Sequence, residues 1–208
     1  MKLHIVRHGE TLWHAENRYC GSSDIGLTEK GIQQGIELAE WAKKANLDLI
    51  LSSDLSRAVM TATPSSNACG KVIEVEKRFR EVDFGKGEGL TSAEMKVAFP
   101  AEYQAFIEHP GHSPLPDGEP GNVAVERALA ALTEITKREN CEKVLLVAHS
   151  TLGRLLICAL TGVPLDSYRR VFPKVINGAI TTLLVPTVDK SAELYGTGSL
   201  LAFNVPTN

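Results

Sequence analysis

No apolar run in the 208-residue sequence approaches the ~20 residues that a membrane-spanning helix needs. Cysteine is scarce and scattered: Cys20, Cys69, Cys141 and Cys158 form no CxxC pair and no regular spacing. That argues against a disulfide framework and leaves reduced thiols as the expectation. An excess of either charge is also missing. Twenty-two Lys and Arg residues stand against 25 Asp and Glu residues, a net charge of −3. Such a balance gives no broad electrostatic reason to bind nucleic acid or an anionic membrane. Repeats and low-complexity segments are absent. The first residues run from Lys2 into a short β-type stretch and then into charge, unlike a secretory leader. A cytoplasmic protein is expected. Of the six histidines only His109 and His112 stand close together. Both lie in a Pro/Gly-rich stretch, which makes a histidine zinc site a poor reading.

Hydrophobic residues make up 43% of the chain and charged residues 23%, an ordinary globular balance that suits one domain over 1–208. Short apolar runs alternate with helical patterns. Strands are expected at 3–6, 47–51, 72–75, 143–148, 176–185 and 200–205. A helix follows Thr28, its expected N-cap, with Ile32, Ile36, Leu38, Ala39 and Ala42 in helical period. Ser53 or Asp54 is expected to cap another helix through Ala68, with Pro64 kinking or ending its first part. Short helices broken at Pro100 fill 92–108. Further helices are expected over 123–138 and 152–160. Residues 109–121, with four prolines and three glycines, read as a surface loop. Alternating strand and helix implies an α/β fold with a largely parallel sheet. Apolar strands without polar alternation imply a sheet covered on both faces.

Ligands of such folds sit beyond the carboxyl ends of the strands. Arg7-His8-Gly9 and His149 each follow the end of an apolar strand. They can therefore meet at one site although they lie far apart in the chain. A lone strand-end histidine is often structural. Two of them, one framed by Arg7 and Gly9, point to a site. Gly9 lets the backbone approach a ligand, and Thr11 offers a hydroxyl and an amide donor to an oxyanion. Arg57 follows another strand, and reads either as a surface arginine or as a group aimed across the strand ends.

Phosphoryl transfer links these residues. A phosphomonoester needs cations and N–H donors around its oxygens, a nucleophile such as neutral imidazole, and an acid for the leaving alkoxide. Arg7, Arg57 and one histidine suit the first task, and the other histidine the second. Glu81 is placed to be the acid. Its alternative is a surface carboxylate paired with Arg80, and Asp83 competes for the role.

Arg7-His8-Gly9-Glu10-Thr11, Leu27-Thr28-x-x-Gly31, Ser52-Ser53-x-Leu55-x-Arg57-Ala58, Arg80-Glu81-Val82-Asp83-Phe84-Gly85-x-x-Glu88-Gly89-Leu90 and Val147-Ala148-His149 together resemble the histidine phosphatase superfamily. The branch is the one that includes cofactor-dependent phosphoglycerate mutases and many small phosphatases. The resemblance covers nearly the whole chain, in the expected order. It implies a three-layer α/β/α sandwich with a mostly parallel central sheet and one antiparallel strand. It implies His8 as the phosphorylated nucleophile, with Arg7, Arg57 and His149 binding the phosphoryl group and Glu81 donating the proton. No metal or other cofactor is implied, and the partner is a small phosphorylated metabolite.

The sequence departs from the family at His14, where relatives resemble one another in a phosphate-binding Asn. It departs again at Cys20, before Gly21, and at Ser150, where Gly is common. Cys20, Gly21 and Ser150 are the candidate substrate-binding positions, and His14 joins Arg7, Arg57, His149 and Thr11 as a candidate phosphate-binding residue. A phosphate beside His14 favours its cationic form whereas burial lowers its pKa; the phosphate effect is expected to prevail, the alternative being a His14 that points away and packs near Trp13. Gly87 stands where Trp is frequent, which opens space near Glu88. Mutases of the family carry a long basic, aromatic insertion between proton donor and second histidine. Here the 109–120 loop has neither Arg nor Lys, which suits hydrolysis. Arg169-Arg170 reads either as a source of cations for the pocket or as a solvated helix face, and the solvated face is expected. The expectation is a metal-independent phosphomonoesterase working through phosphohistidine. Its rivals are a phosphoglycerate mutase and a non-catalytic phospho-ligand binding module.

Overall fold

Apolar residues point to both sides of each central strand, and that dictates the layers. The computed structural model describes residues 1–207. In β1 (Lys2–Arg7), Leu3 and Ile5 join one core and Val6 the other. β2 (Leu49–Ser52) and β4 (Lys143–Ala148) divide in the same way: Leu49, Leu51, Val144 and Leu146 face one side, and Ile50, Leu145 and Val147 the other. Burying both faces requires helices on both. α2 (Glu29–Ala45) and α3 (Ser56–Cys69) cover one face. α6 (Gly121–Thr136) and α7 (Ser150–Thr161) cover the other. α1 (Leu12–Ala15), α4 (Ser92–Ala98), α5 (Pro100–Glu108) and α8 (Tyr168–Val171) are short pieces.

With β3 (Ile73–Val75), β5 (Ile180–Leu184) and β6 (Ser199–Val205), the strands form one sheet in the order β3-β2-β4-β1-β5-β6. β1, β2, β3 and β4 pair in parallel. β5 runs antiparallel to both β1 and β6. β5 is thus the one reversed strand in an otherwise parallel sheet, a three-layer α/β/α arrangement as expected. Among the described residues, no helix is long and apolar enough to cross a membrane.

Local chemistry explains the element ends. Thr28 caps α2 by accepting the Gly31 amide at 3.1 Å, as its sequence position implies. α3 differs from expectation at its cap. Leu55 occupies the cap position, and the orphan amide of Ser56 is met from a distance by Asp24 Oδ1 at 2.9 Å. The helix does not end at Pro64 and continues to Cys69. The Pro64 ring takes a place in the α2–α3 seam, against the side of Gly35. The expected strand at 176–185 begins only at Ile180. Residues 176–179 turn at Gly178 (φ +77°), whose amide donates to the Arg7 carbonyl at 2.8 Å.

The β1–β4 ladder matters most for the site. Arg7 is registered opposite Ala148, and the His8 amide donates to the Ala148 carbonyl at 2.9 Å. One residue further along each strand stand His8 and His149. The loop after β1 then presses on the first turn of α2. A Cβ on Gly9 would strike the Gly31 carbonyl, and one on Gly31 the Glu10 carbonyl. Only glycine fits either position.

Candidate active site

Both strand-end histidines are buried, His8 at 3% and His149 at 1% exposure. Their ring centroids lie 5.1 Å apart. His8 Nδ1 is 2.7 Å from the Gly9 carbonyl. A carbonyl only accepts, so Nδ1 carries the proton and the Nε2 lone pair is free. Burial, reinforced by His149, Arg57, Arg7 and His14, holds the His8 pKa well below its ordinary value. Burial and the surrounding arginines do the same to His149. Asn177 steadies the segment by donating to the His8 carbonyl at 2.8 Å.

Arg57, on the first turn of α3, is fully buried. Its terminal nitrogens donate to the carbonyls of Ser23 (2.6 Å) and Gly21 (2.7 Å). Arg7 donates to the Val175 carbonyl at 2.8 Å and faces His14 Nε2 at 2.6 Å. Burial lowers the Arg7 pKa to about 10. Among the described residues, Arg7 Nε, Arg57 Nε and both ring nitrogens of His149 are buried without a protein partner. Four orphaned polar atoms in one place are costly unless a ligand meets them. An anion suits the three that are guanidinium or imidazole N–H donors.

Glu81 is 6% exposed and lies over the N-terminus of α7. Its Oε1 accepts the amides of Leu152 (2.7 Å) and Val82 (3.0 Å), and its Oε2 accepts that of Thr151 (2.8 Å). A carboxylate there satisfies orphan helix amides and faces the positive end of the helix dipole. The pairing weighed from sequence does not form. Arg80 instead grips Asp54 with two bonds of 2.6 and 2.7 Å. Asp83, the competing acid, accepts the Gly85 amide at 2.8 Å.

Several expected contacts take another form. Thr11 is fully buried, and its hydroxyl lies 2.9 Å from His14 Nδ1. It therefore positions His14 and offers nothing directly to an oxyanion. His14 Nε2 faces an Arg7 N–H, and its Nδ1 faces the Thr11 backbone N–H at 3.1 Å, so both ring nitrogens stand opposite N–H donors. Burial and the Arg7 and Arg57 charges lower its pKa to about 4. The cationic His14 expected from sequence would set an N–H against a guanidinium N–H. Gly21 supplies only backbone: its amide donates to Glu88 and its carbonyl accepts from Arg57. Glu88, given no role from sequence, gathers the amides of Gly21, Ser22, Ser23 and Phe84. It thereby shapes the loop that holds Arg57. The room at Gly87 is taken by Leu115, whose Cδ1 lies where a Cβ would be.

A cavity of about 450 Å³ opens beside this cluster, and Arg7, His14, Cys20, Glu81, Ser150 and Thr151 line it. Burial raises the Cys20 pKa to about 11 and keeps the thiol protonated. Arg154 and Arg169 also line the cavity. Arg154 was missed from sequence, although it is the one charge in an apolar helix, Ser150-Thr151-Leu152-Gly153-Arg154-Leu155-Leu156. The expected solvated arginine face divides: Arg170 is exposed, whereas Arg169 turns inward. No residue of the 109–120 loop lines the cavity. His109 and His112 meet Asp166 instead. Among the described residues no cluster of three or more His, Cys, Asp or Glu could hold a metal ion.

Paired buried histidines among arginines, beyond the carboxyl ends of a mostly parallel sheet, define an α/β protein built to receive an oxyanion. The model of the histidine phosphatase superfamily, branch 1, matches residues 3–195, and the chain belongs to that family. It is 33% identical over 171 residues to the Salmonella arizonae protein named "Probable phosphoglycerate mutase GpmB", covering 82% of this chain and 80% of that one. It is 32% identical over 168 residues to phosphoserine phosphatase 1 of Hydrogenobacter thermophilus, covering 81% and 80%. Among solved structures, a mycobacterial glucosyl-3-phosphoglycerate phosphatase superimposes with a TM-score of 0.86 at 29% identity, covering 98% of each chain. The family and its phosphatase-named members support a phosphatase.

Proposed function

We propose that the protein hydrolyses a small phosphomonoester through a phosphohistidine at His8, without a metal ion. The observation that carries this reading is the His8 imidazole, with Nδ1–H tied to the Gly9 carbonyl and its pKa held low. Its Nε2 is thus an unprotonated nucleophile at neutral pH. In the first step Nε2 forms a bond to phosphorus and the P–O bond to the leaving group breaks. Arg7, Arg57 and His149 hold the phosphoryl oxygens. Glu81 gives its proton to the departing alkoxide. In the second step water attacks phosphorus, Glu81 takes the water proton, and the P–N bond breaks to regenerate His8. A carboxylate offers about four lone-pair sites. Three of them accept backbone amides. The remaining one, on Oε2, is the site for the moving proton.

The mutase reading draws support from the similarity to the mutase-named relative. Hydrolysis is favoured because no basic insertion overhangs the cavity. The test is phosphate release from p-nitrophenyl phosphate and from phosphorylated metabolites in the presence of chelator. Hydrolysis is expected there, with no stimulation of 2- and 3-phosphoglycerate interconversion by 2,3-bisphosphoglycerate. Bisphosphate-dependent isomerisation faster than hydrolysis would overturn the proposal in favour of the mutase. Absence of both activities would leave the binding module.

A further inference from the structure

The cavity wall away from the histidines is built from guanidinium groups on aromatic rings. Arg154 of α7 lies 4.6 Å over the Tyr168 ring. Arg169 of α8 lies 4.4 Å over Phe106, and its Nε meets the Tyr168 hydroxyl at 3.0 Å. Arg18, on the same wall, is neutralised by Glu16 and Glu94. Arg78, Arg80, Arg127 and Arg138 elsewhere each rest on a carboxylate. Arg154 and Arg169 do not: among the described residues neither has a carboxylate within 4 Å. Arg154 Nε and Nη1 reach only the carbonyls of Ser150 (3.1 Å) and Phe172 (3.4 Å). Arg154 Nη2 and both terminal nitrogens of Arg169 meet no acceptor among the described residues. The lone acid on the cavity wall is Glu81, and its lone pairs are largely taken by amides.

A phosphoryl dianion answers the charges of Arg7 and Arg57. It leaves Arg154 and Arg169 uncompensated in a partly buried site, where an unpaired charge is costly. Stacking on rings fixes the planes of the two guanidiniums while leaving N–H edges free. Such a planar fork matches a carboxylate or phosphate. We propose that the leaving group carries a second anionic group, a carboxylate or a second phosphate, that is bound by Arg154 and Arg169. The substrate class is then a phosphorylated hydroxy acid or a bisphosphate, and not the phosphate ester of a neutral alcohol. This inference rests on the phosphomonoesterase reading.

The test is a ratio. Phosphate release is measured from 3-phosphoglycerate and from glycerol 3-phosphate, which differ by a carboxylate in place of a hydroxymethyl group. A third arm uses 2,3-bisphosphoglycerate, and p-nitrophenyl phosphate reports the chemistry alone. Wild type is expected to favour a doubly anionic substrate over glycerol 3-phosphate by roughly 10- to 100-fold in kcat/KM, the range for one or two charge-assisted hydrogen bonds. Faster release from 3-phosphoglycerate than from glycerol 3-phosphate identifies a carboxylate, and a gain seen only with 2,3-bisphosphoglycerate, which carries the carboxylate and a second phosphate together, identifies the phosphate. Arg154→Gln and Arg169→Gln, on separate helices, should each lower that ratio by about tenfold, chiefly through KM. A wild-type ratio near unity overturns the second anion while p-nitrophenyl phosphate turnover upholds the esterase. A ratio that persists in both variants overturns the assignment to these arginines. No release from any of the four substrates would sink the phosphomonoesterase reading itself.

Discussion

The buried floor beside the cavity and the wall of the cavity are made by different means. The floor holds His8, His149, Arg57 and Glu81, all nearly closed to solvent. Its groups are set mainly by main-chain partners: the Gly9 carbonyl for His8, the 21–23 carbonyls for Arg57, and the α7 amides for Glu81. The wall holds Arg154 and Arg169, steadied by aromatic faces on α5 and α8. Backbone partners cannot be changed by substitution, so they hold a protonation state and a direction whatever the substrate. Side-chain stacking is easily altered, which suits the part of a site that selects the substrate.

This contrast is broken most severely at His8. His8→Ala should reduce turnover of every substrate by about 10⁴-fold or more, because no neighbour replaces the nucleophile. Rapid quench of wild type with labelled substrate should trap an acid-labile, base-stable phosphoryl group on His8. A phosphoryl group mapped to another residue would refute the floor as drawn.

Glu81→Gln should slow substrates with alkoxide leaving groups by roughly 10²- to 10⁴-fold. Activated aryl phosphates need little protonation and should lose far less in the first step. An equal loss for both classes, or the selective pattern appearing in Asp83→Asn, would move the proton elsewhere.

His14 lies between floor and wall and carries the smallest effect. Its pKa of about 4 means that it is neutral at pH 7 and accepts from Arg7. As pH falls through 4 it gains a proton and can no longer do so. His14→Asn keeps an acceptor that does not titrate. Substrate ionisation affects both proteins alike, so the informative quantity is their kcat/KM ratio against pH. Wild type should fall about twofold relative to His14→Asn at pH 4, where half of His14 is protonated. A ratio that stays flat from pH 7 to 4 would remove His14 from the support of Arg7. The sign is opposite to the one expected from sequence, because burial and the Arg7 and Arg57 charges disfavour the cation.

Strand-end motifs were legible because they follow from short-range rules. An apolar run that stops at Arg7-His8-Gly9, or at His149, announces a strand whose carboxyl end carries polar groups. Thr28 likewise announced the start of α2. Less was legible where a partner comes from a distant segment. Asp24 meets the first amide of α3, Asn177 holds the His8 carbonyl, and Leu115 fills the space beside Gly87. Local spacing carries no trace of these contacts.

The order of residues was enough to specify an α/β chain, a sheet buried on both faces, and Arg7, His8 and His149 waiting at strand ends. Periodicity and turn chemistry act over a few residues, so they can be read along the chain. Folding alone determined which atoms those groups present. The β1–β4 register set the two imidazoles side by side, the amides of α7 claimed three lone pairs of Glu81, and burial beside Arg7 made His14 an acceptor. Of two neighbouring arginines it turned Arg169 to the cavity and Arg170 to solvent. Directions, protonation states and the sharing of lone pairs depend on desolvation and on partners remote in sequence, which exist only once the layers have packed.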